Sequence, residues 1–136
     1  MARLTYIDEK TIEKFLDMEG GYVMEFNDNT FREFIYKSTG LDINDEKYHN
    51  ASNSKAKRLK QFIKLESNNT FGKLLLALCN HWRTKFPKGQ FTTNNDDLYK
   101  DCLKIVEKLK NEDIVETIDV QYSLTLKIGI LKFYLI

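Results

Sequence analysis

The sequence has 136 residues, which is about the length of one domain. Hydrophobic residues make up 42% and aromatic residues 12% of it, enough for one core without disulfides or a structural metal. The 21 Lys and Arg residues and the 20 Asp and Glu residues give a formal net charge of +1. This balance excludes a globally basic protein, so any nucleic-acid binding must come from a local patch.

No targeting or membrane segment is recognisable in the sequence. Residues 1–10 lack the apolar stretch of a secretory signal. The most apolar stretch, residues 122–136, is interrupted by Lys127 and Lys132 and does not reach the length of an uncharged membrane span. We therefore expect a cytoplasmic protein that has no membrane partner.

The first predicted helix covers residues 8–18, where Ile12, Phe15 and Leu16 form a narrow apolar face. A glycine pair at residues 20–21 ends it. In residues 22–26 the apolar side chains alternate with other residues, which predicts a short strand.

The second helix is predicted to begin at a capping box formed by Thr30 and Glu33, and to end at Gly40 in a left-handed conformation. The connection that follows, residues 41–54, is long for a structureless loop. It is either functional or contains a turn of helix, with Ile43 and Tyr48 as its anchors.

Three more helices follow in the sequence pattern. The third covers residues 55–66 with Ser54 as its cap, and the fourth covers residues 70–82 with Asn69 as its cap. The fourth is apolar on most sides, so we expect it to be the most deeply buried. A fifth helix opens at residues 94–96, and its apolar face consists of Leu98, Cys102, Ile105 and Leu109.

The last segment has a different period. Every even position from Val120 to Ile130 is apolar, which predicts a strand that pairs with residues 22–26. The sequence thus predicts a mainly α domain of about five helices with a small two-stranded β element, α+β being the alternative. We assign residues 1–118 to the helical domain. Residues 119–136 are an apolar C-terminal segment, either a strand or the start of a missing region.

No recognisable catalytic apparatus is visible. The two histidines, His49 and His81, are interpreted as a solvated loop residue and a partly buried helix-end residue. Cys79 and Cys102 lie among apolar residues and are interpreted as buried thiols in a reducing compartment. No nucleophile elbow or phosphate-binding loop is present. We predict neither a cofactor nor a metal site, and a protein that is not an enzyme.

One local charge cluster stands out, on the third predicted helix. Three of its basic residues recur at helical spacing and form a ridge opposite the apolar face, and the other two flank that ridge. Such a cluster either contacts phosphates or an acidic partner, or is the solvated face of an amphipathic helix. The candidate residues are Lys55, Lys57, Arg58, Lys60 and Lys64.

Four blocks of sequence carry a resemblance. Residues 20–34, 40–48, 54–59 and 71–75 resemble, in this order, the N-terminal domain of bacterial abortive-infection proteins, of the AbiJ type. The resemblance spans about residues 18–118. It implies a helical module of an anti-phage system that is joined to a separate effector region and senses or recruits a partner.

Two functions from different classes follow as expectations. The first is a non-catalytic sensing or protein-interaction module of an anti-phage protein, with a protein partner or a homo-oligomer, for instance a dimer through the C-terminal strand. The second is a nucleic-acid-binding module that uses the basic helix at residues 55–64.

Overall fold

A computed structural model describes residues 2–49, 53–86 and 95–111. These ranges contain five α-helices and no strand, which confirms the predicted mainly helical fold and does not support the α+β alternative. The helices are α1 (Tyr6–Phe15), α2 (Asp28–Thr39), α3 (Lys55–Leu65), α4 (Asn68–Lys85) and α5 (residues 95–111). Short 3-10 turns lie at Glu19–Gly21 and Glu46–Tyr48.

The helix caps explain where the observed boundaries differ from the predicted ones. Helix α2 begins before Thr30, because Asn27 is the N-cap and forms a reciprocal capping box with Thr30 rather than Thr30 with Glu33. Helix α4 likewise begins earlier than predicted, with Ser67 as its cap instead of Asn69. The predicted Ser54 cap of α3 is confirmed, since its hydroxyl accepts a hydrogen bond from the Lys57 amide.

The predicted strand at residues 22–26 is wrong. The amide of Met24 donates to the Leu16 carbonyl at 2.7 Å and that of Phe26 to the Val23 carbonyl at 3.2 Å, so the backbone folds into turns. Val23 and Phe26 are buried while Tyr22 is 61% exposed, which is not the alternation of a strand. The partner strand predicted over residues 120–130, and the boundary between residues 118 and 119, lie outside the described residues.

The connection between α2 and α3 contains a turn of helix at Glu46–Tyr48. Both predicted anchors are confirmed, because Ile43 and Tyr48 are completely buried. The Tyr48 ring packs on Phe62 of α3 with centroids 5.3 Å apart, and its hydroxyl donates to the Glu66 carboxylate at 2.9 Å. Burial and this hydrogen bond raise the pKa of Tyr48, which keeps the phenol protonated.

Helices α4 and α5 form an antiparallel pair. Positions nearer the C-terminus of α4 contact positions nearer the N-terminus of α5, from Gly72 opposite Leu109 to Trp82 opposite Tyr99. A Cβ placed on Gly72 would lie 3.7 Å from the Leu109 Cβ, and the Trp82 and Tyr99 rings stack with centroids 5.2 Å apart. Helix α2 packs on the same helix α4, so α4 lies at the centre of the fold with seven buried residues.

Helix α1 closes against both α3 and α5. Its Glu13 carboxylate lies 3.5 Å from Lys60 of α3, and its Asp8 carboxylate pairs with Lys108 of α5. The segment before α1 adds a backbone hydrogen bond of 3.2 Å from the Ala2 amide to the Ile63 carbonyl. A gap remains between α1 and α3 on the outer side of the fold.

Candidate interaction site

The five basic residues predicted as a binding cluster separate onto two faces of α3. Two of them, Lys55 and Arg58, share a face with the buried Leu59 and Phe62. These four positions follow the i, i+3, i+4, i+7 spacing of one helical stripe, which faces the core. The other three, the outer ridge, consist of Lys57, Lys60 and Lys64 and are exposed.

Arg58 is a structural residue. Only 6% of it is exposed, and its guanidinium ties α3 to two other parts of the chain. One terminal nitrogen donates to the Asp28 carboxylate of α2 at 2.9 Å, and the other donates to the Asn44 side chain. Its Nε is buried without a hydrogen-bond partner. Arg58 is therefore buried and paired within the fold, and it does not lie on the exposed face of α3.

Lys55 is also engaged on the inner face. Its side chain is 13% exposed and its Nζ lies 3.8 Å from the Asp28 carboxylate. The same Nζ lies 5.4 Å from the centroid of the Tyr22 ring, within the range of a cation–π contact. The predicted five-residue cluster thus reduces to the outer ridge.

On the outer ridge, the middle lysine is paired and the end lysines are not. Lys60 lies 3.5 Å from Glu13 of α1, which in turn contacts Lys10 at 3.3 Å. Lys57 and Lys64 form no ion pair with any other residue in the described ranges. Two cations are therefore available to a ligand, one on each side of an internal ion pair.

A cleft of about 230 Å³ runs between α1 and α3, next to the outer ridge. Its apolar floor is formed by Ile12, Met18 and Ile63, and its polar wall on α1 by Glu9 and Glu13. On α3 the wall consists of Lys57, Lys60, Gln61 and Lys64. We call this the α1–α3 cleft. An apolar floor with charged groups of both signs around it suits an amphipathic binding partner.

The sequence pattern did not predict this cleft, although it indicated some of the residues that line it. The outer ridge was visible as a charged helical face, and Ile12 as part of an apolar face. Glu9 and Glu13 were missed as wall residues, although they lie four residues apart and so share one face of α1. No signal in the sequence tells that α1 lies beside α3, because that depends on the packing of distant segments.

The blocks that carry the family resemblance meet in space. A Cβ on Gly21, in the first block, would lie 2.9 Å from the Cβ of Ser54, in the third block. Arg58 of the third block contacts Asp28 of the first and Asn44 of the second. These contacts join the start of α3 to α2, to the turn before α2 and to the connection after it.

A second polar cluster lies at the end of α4. The His81 Nε2 lies 2.9 Å from the Glu25 carboxylate, which also pairs with Lys85. The His81 ring stacks on Phe26 with centroids 5.0 Å apart. His81 is thus the partly buried helix-end residue that was predicted, and His49 lies exposed in its loop. Burial raises the pKa of Glu25, but the hydrogen bonds from Lys85 and His81 lower it to about 2.

The two cysteines are buried, as predicted, and lie together between α4 and α5. The hydrogen bond with Cys79, together with burial, raises the pKa of the Cys102 thiol. A raised pKa disfavours the thiolate, which is the nucleophilic form.

The described ranges were also compared with the requirements of a metal site and of a membrane span. No group of three or more His, Cys, Asp or Glu side chains there is arranged to hold a metal ion. None of the helices described combines the length and the apolar character needed to cross a membrane. No protein-family profile, curated protein or solved structure matches this chain at a significant level.

Proposed function

We propose that this chain is a non-catalytic sensing or protein-interaction module of a bacterial anti-phage protein, acting in the cytoplasm. The α1–α3 cleft is the surface through which it contacts its protein partner. One observation carries the proposal: an apolar floor is open next to two lysines, Lys57 and Lys64, that have no ion pair in the described ranges. A concave site with an apolar floor and a charged rim is typical of interaction sites.

The defence context comes from the resemblance in the four sequence blocks. Their packing against one another, through Gly21 and Ser54 and through Arg58 and Asp28, is a physical reason for them to occur together. A signature that maintains a fold, with no reactive group among its contacts, suits a module that binds rather than catalyses.

The second candidate, nucleic-acid binding, retains one supporting observation. Lys57, Lys60 and Lys64 still form an exposed ridge at helical spacing. Against it, Lys55 and Arg58 are occupied inside the fold, and Glu9 and Glu13 line the same cleft. Carboxylates beside the lysines repel a phosphate backbone, so a partner with charges of both signs fits better.

A phage-plating experiment tests the proposed function. The full reading frame and its neighbouring genes are expressed in a sensitive bacterium, which is challenged with a panel of phages. We expect the wild type to reduce plating of at least one phage and the double variant Lys57→Glu/Lys64→Glu to lose that protection.

The matched control is Lys73→Glu/Lys104→Glu, which makes the same change in net charge at exposed positions on α4 and α5. This control should protect like the wild type. Equal protection by the cleft variant would reject the cleft as the contact surface, and a wild type that protects against no phage would reject the defence role.

A further inference from the structure

We infer that the partner of the α1–α3 cleft is an acidic amphipathic helix. It lies along α3, inserts one apolar side chain into the cleft, and pairs two carboxylates, seven residues apart, with Lys57 and Lys64. This inference rests on the proposed function and adds the chemistry of the partner. It follows from the size of the cleft, the spacing of its free charges, and the sign of the charge on each wall.

The size of the cleft indicates what enters it. Its volume of about 230 Å³ is smaller than the ~300–1,000 Å³ of sites that enclose a small-molecule ligand. It suits a single large apolar side chain that anchors a longer segment lying outside. Interfaces commonly concentrate their binding free energy in such anchors, each in a small desolvated pocket.

The spacing of the free lysines indicates a helical partner. Lys57 and Lys64 are seven residues apart, which is about two turns or ~10 Å along the axis of α3. Two carboxylates at the same interval on one face of a partner helix reach both lysines at once. An apolar residue about midway between them then faces the floor formed by Ile12, Met18 and Ile63.

The two walls of the cleft fix which side of the partner faces which helix. On α3 the ion pair between Lys60 and Glu13 already neutralises the centre, so the partner's carboxylates belong at the two ends. On α1, Glu9 has no ion pair within the described ranges, so the side of the partner that faces α1 carries a basic or neutral residue. A partner with a basic residue at that position pairs every free charge of the cleft.

A polyphosphate chain does not satisfy the same pattern. Its negative charges are evenly spaced, and those nearest α1 would lie beside Glu9 and Glu13. A mixed-charge helix avoids that repulsion while using the same two lysines. We therefore favour the peptide and make nucleic acid an outcome of the test.

The test uses the full 136-residue chain and fluorescent helical peptides of about 18 residues, measured by fluorescence anisotropy. The first peptide carries glutamates seven apart with a leucine between them. The second has the same composition, but its glutamates are five apart and point to different faces. We expect the first to bind about ten-fold more tightly, and its binding to weaken with salt.

Charge reversal provides the matched controls. Lys57→Glu/Lys64→Glu should weaken the first peptide about ten-fold, while Lys73→Glu/Lys104→Glu leaves it unchanged. A peptide with lysines in place of the two glutamates should bind the Lys57→Glu/Lys64→Glu variant better than it binds the wild type. This rescue cannot come from misfolding of the variant.

Three results would overturn the inference. The two peptides bind equally, or the cleft variant binds the first peptide as well as the wild type does. Alternatively, a labelled single- or double-stranded oligonucleotide binds through Lys57 and Lys64 while neither peptide binds. If phage protection depends on Lys57 and Lys64 but no peptide binds, the inference fails and the proposed function stands. If protection does not depend on them, the proposed function fails first.

Discussion

The two faces of α3 use the same kind of residue for opposite purposes. On the inner face, Arg58 and Lys55 are withdrawn from water and held by Asp28. On the outer face, Lys57 and Lys64 remain exposed without an ion pair in the described ranges. Neighbours in sequence, such as Lys57 and Arg58, point in directions about 100° apart on a helix. Charge in a sequence window therefore predicts a binding surface only after each charge is placed on its face.

The largest expected change in stability comes from a substitution on the inner face of α3, and it tests whether that face is structural. Arg58→Ala removes two hydrogen bonds and the packing of a buried side chain, so we expect the free energy of unfolding to fall by about 2–3 kcal/mol. Lys57→Ala, the outer neighbour, should change it by less than about 0.5 kcal/mol. Urea denaturation of both variants measures the difference. Similar small decreases in the free energy of unfolding for both variants would contradict the contrast between the two faces.

The second largest expected change in stability comes from Gly21, where the chain passes close to the start of α3. Gly21 has φ +91° and a Cβ there would lie 2.9 Å from Ser54, the cap of α3. Gly40 has φ +77° with open space around it. Gly21→Ala should cost about 2–3 kcal/mol, combining backbone strain with a displaced cap, and Gly40→Ala about 1 kcal/mol from strain alone. Thermal denaturation that ranks the two equally would contradict the contact.

The smallest effect concerns a surface ion pair and its pH dependence. The folded pKa of Glu25, about 2, is below its ordinary value of 4.5, so its contribution is present above pH ~4.5 and is lost as the pH falls toward ~2. Because the side chain is 49% exposed, we expect Glu25→Gln to cost only about 0.5 kcal/mol near neutral pH. The difference in the free energy of unfolding between wild type and variant, measured by denaturation at several pH values, should vanish by pH ~2.

A control for this pH effect lies on α2. Glu33 pairs with Lys37 at 2.8 Å, but both side chains are more than half exposed. Glu33→Gln should therefore show no resolvable change across the same pH range. A gap for Glu25→Gln that stays constant with pH would show that lost packing, and not charge, causes the destabilisation.

The helices could be predicted from the sequence because their apolar residues recur with the helical period. The faces built on Phe71 and Leu74 in α4 and on Cys102 and Leu109 in α5 lie buried as expected. Caps were less predictable, because Asn27, Ser67 and nearby polar residues compete for the same role. The prediction of a strand at residues 22–26 was wrong because three alternating apolar residues are too short a pattern to exclude a turn.

The site was less predictable than the helices. The burial of Arg58 follows from its helical position relative to Leu59 and Phe62, which are both buried. The spacing of the basic residues alone does not show this. The α1–α3 cleft needs the packing of α1 on α3, and that arrangement is recorded only in contacts such as Glu13 with Lys60. The hydrophobic periodicity of a helix does not indicate which distant segment the helix packs against.

The ion pair between Asp8 and Lys108 joins residues 100 apart in the chain, whereas Arg58 reaches Asp28 across only 30. Contacts at long sequence separation form late, because their loop must close first. During synthesis, the core around Arg58 can assemble while α1 still lacks its contact with α5. The residues that line the α1–α3 cleft all lie at or before Lys64, so they are synthesised before Lys108, whose ion pair with Asp8 then joins α1 to α5.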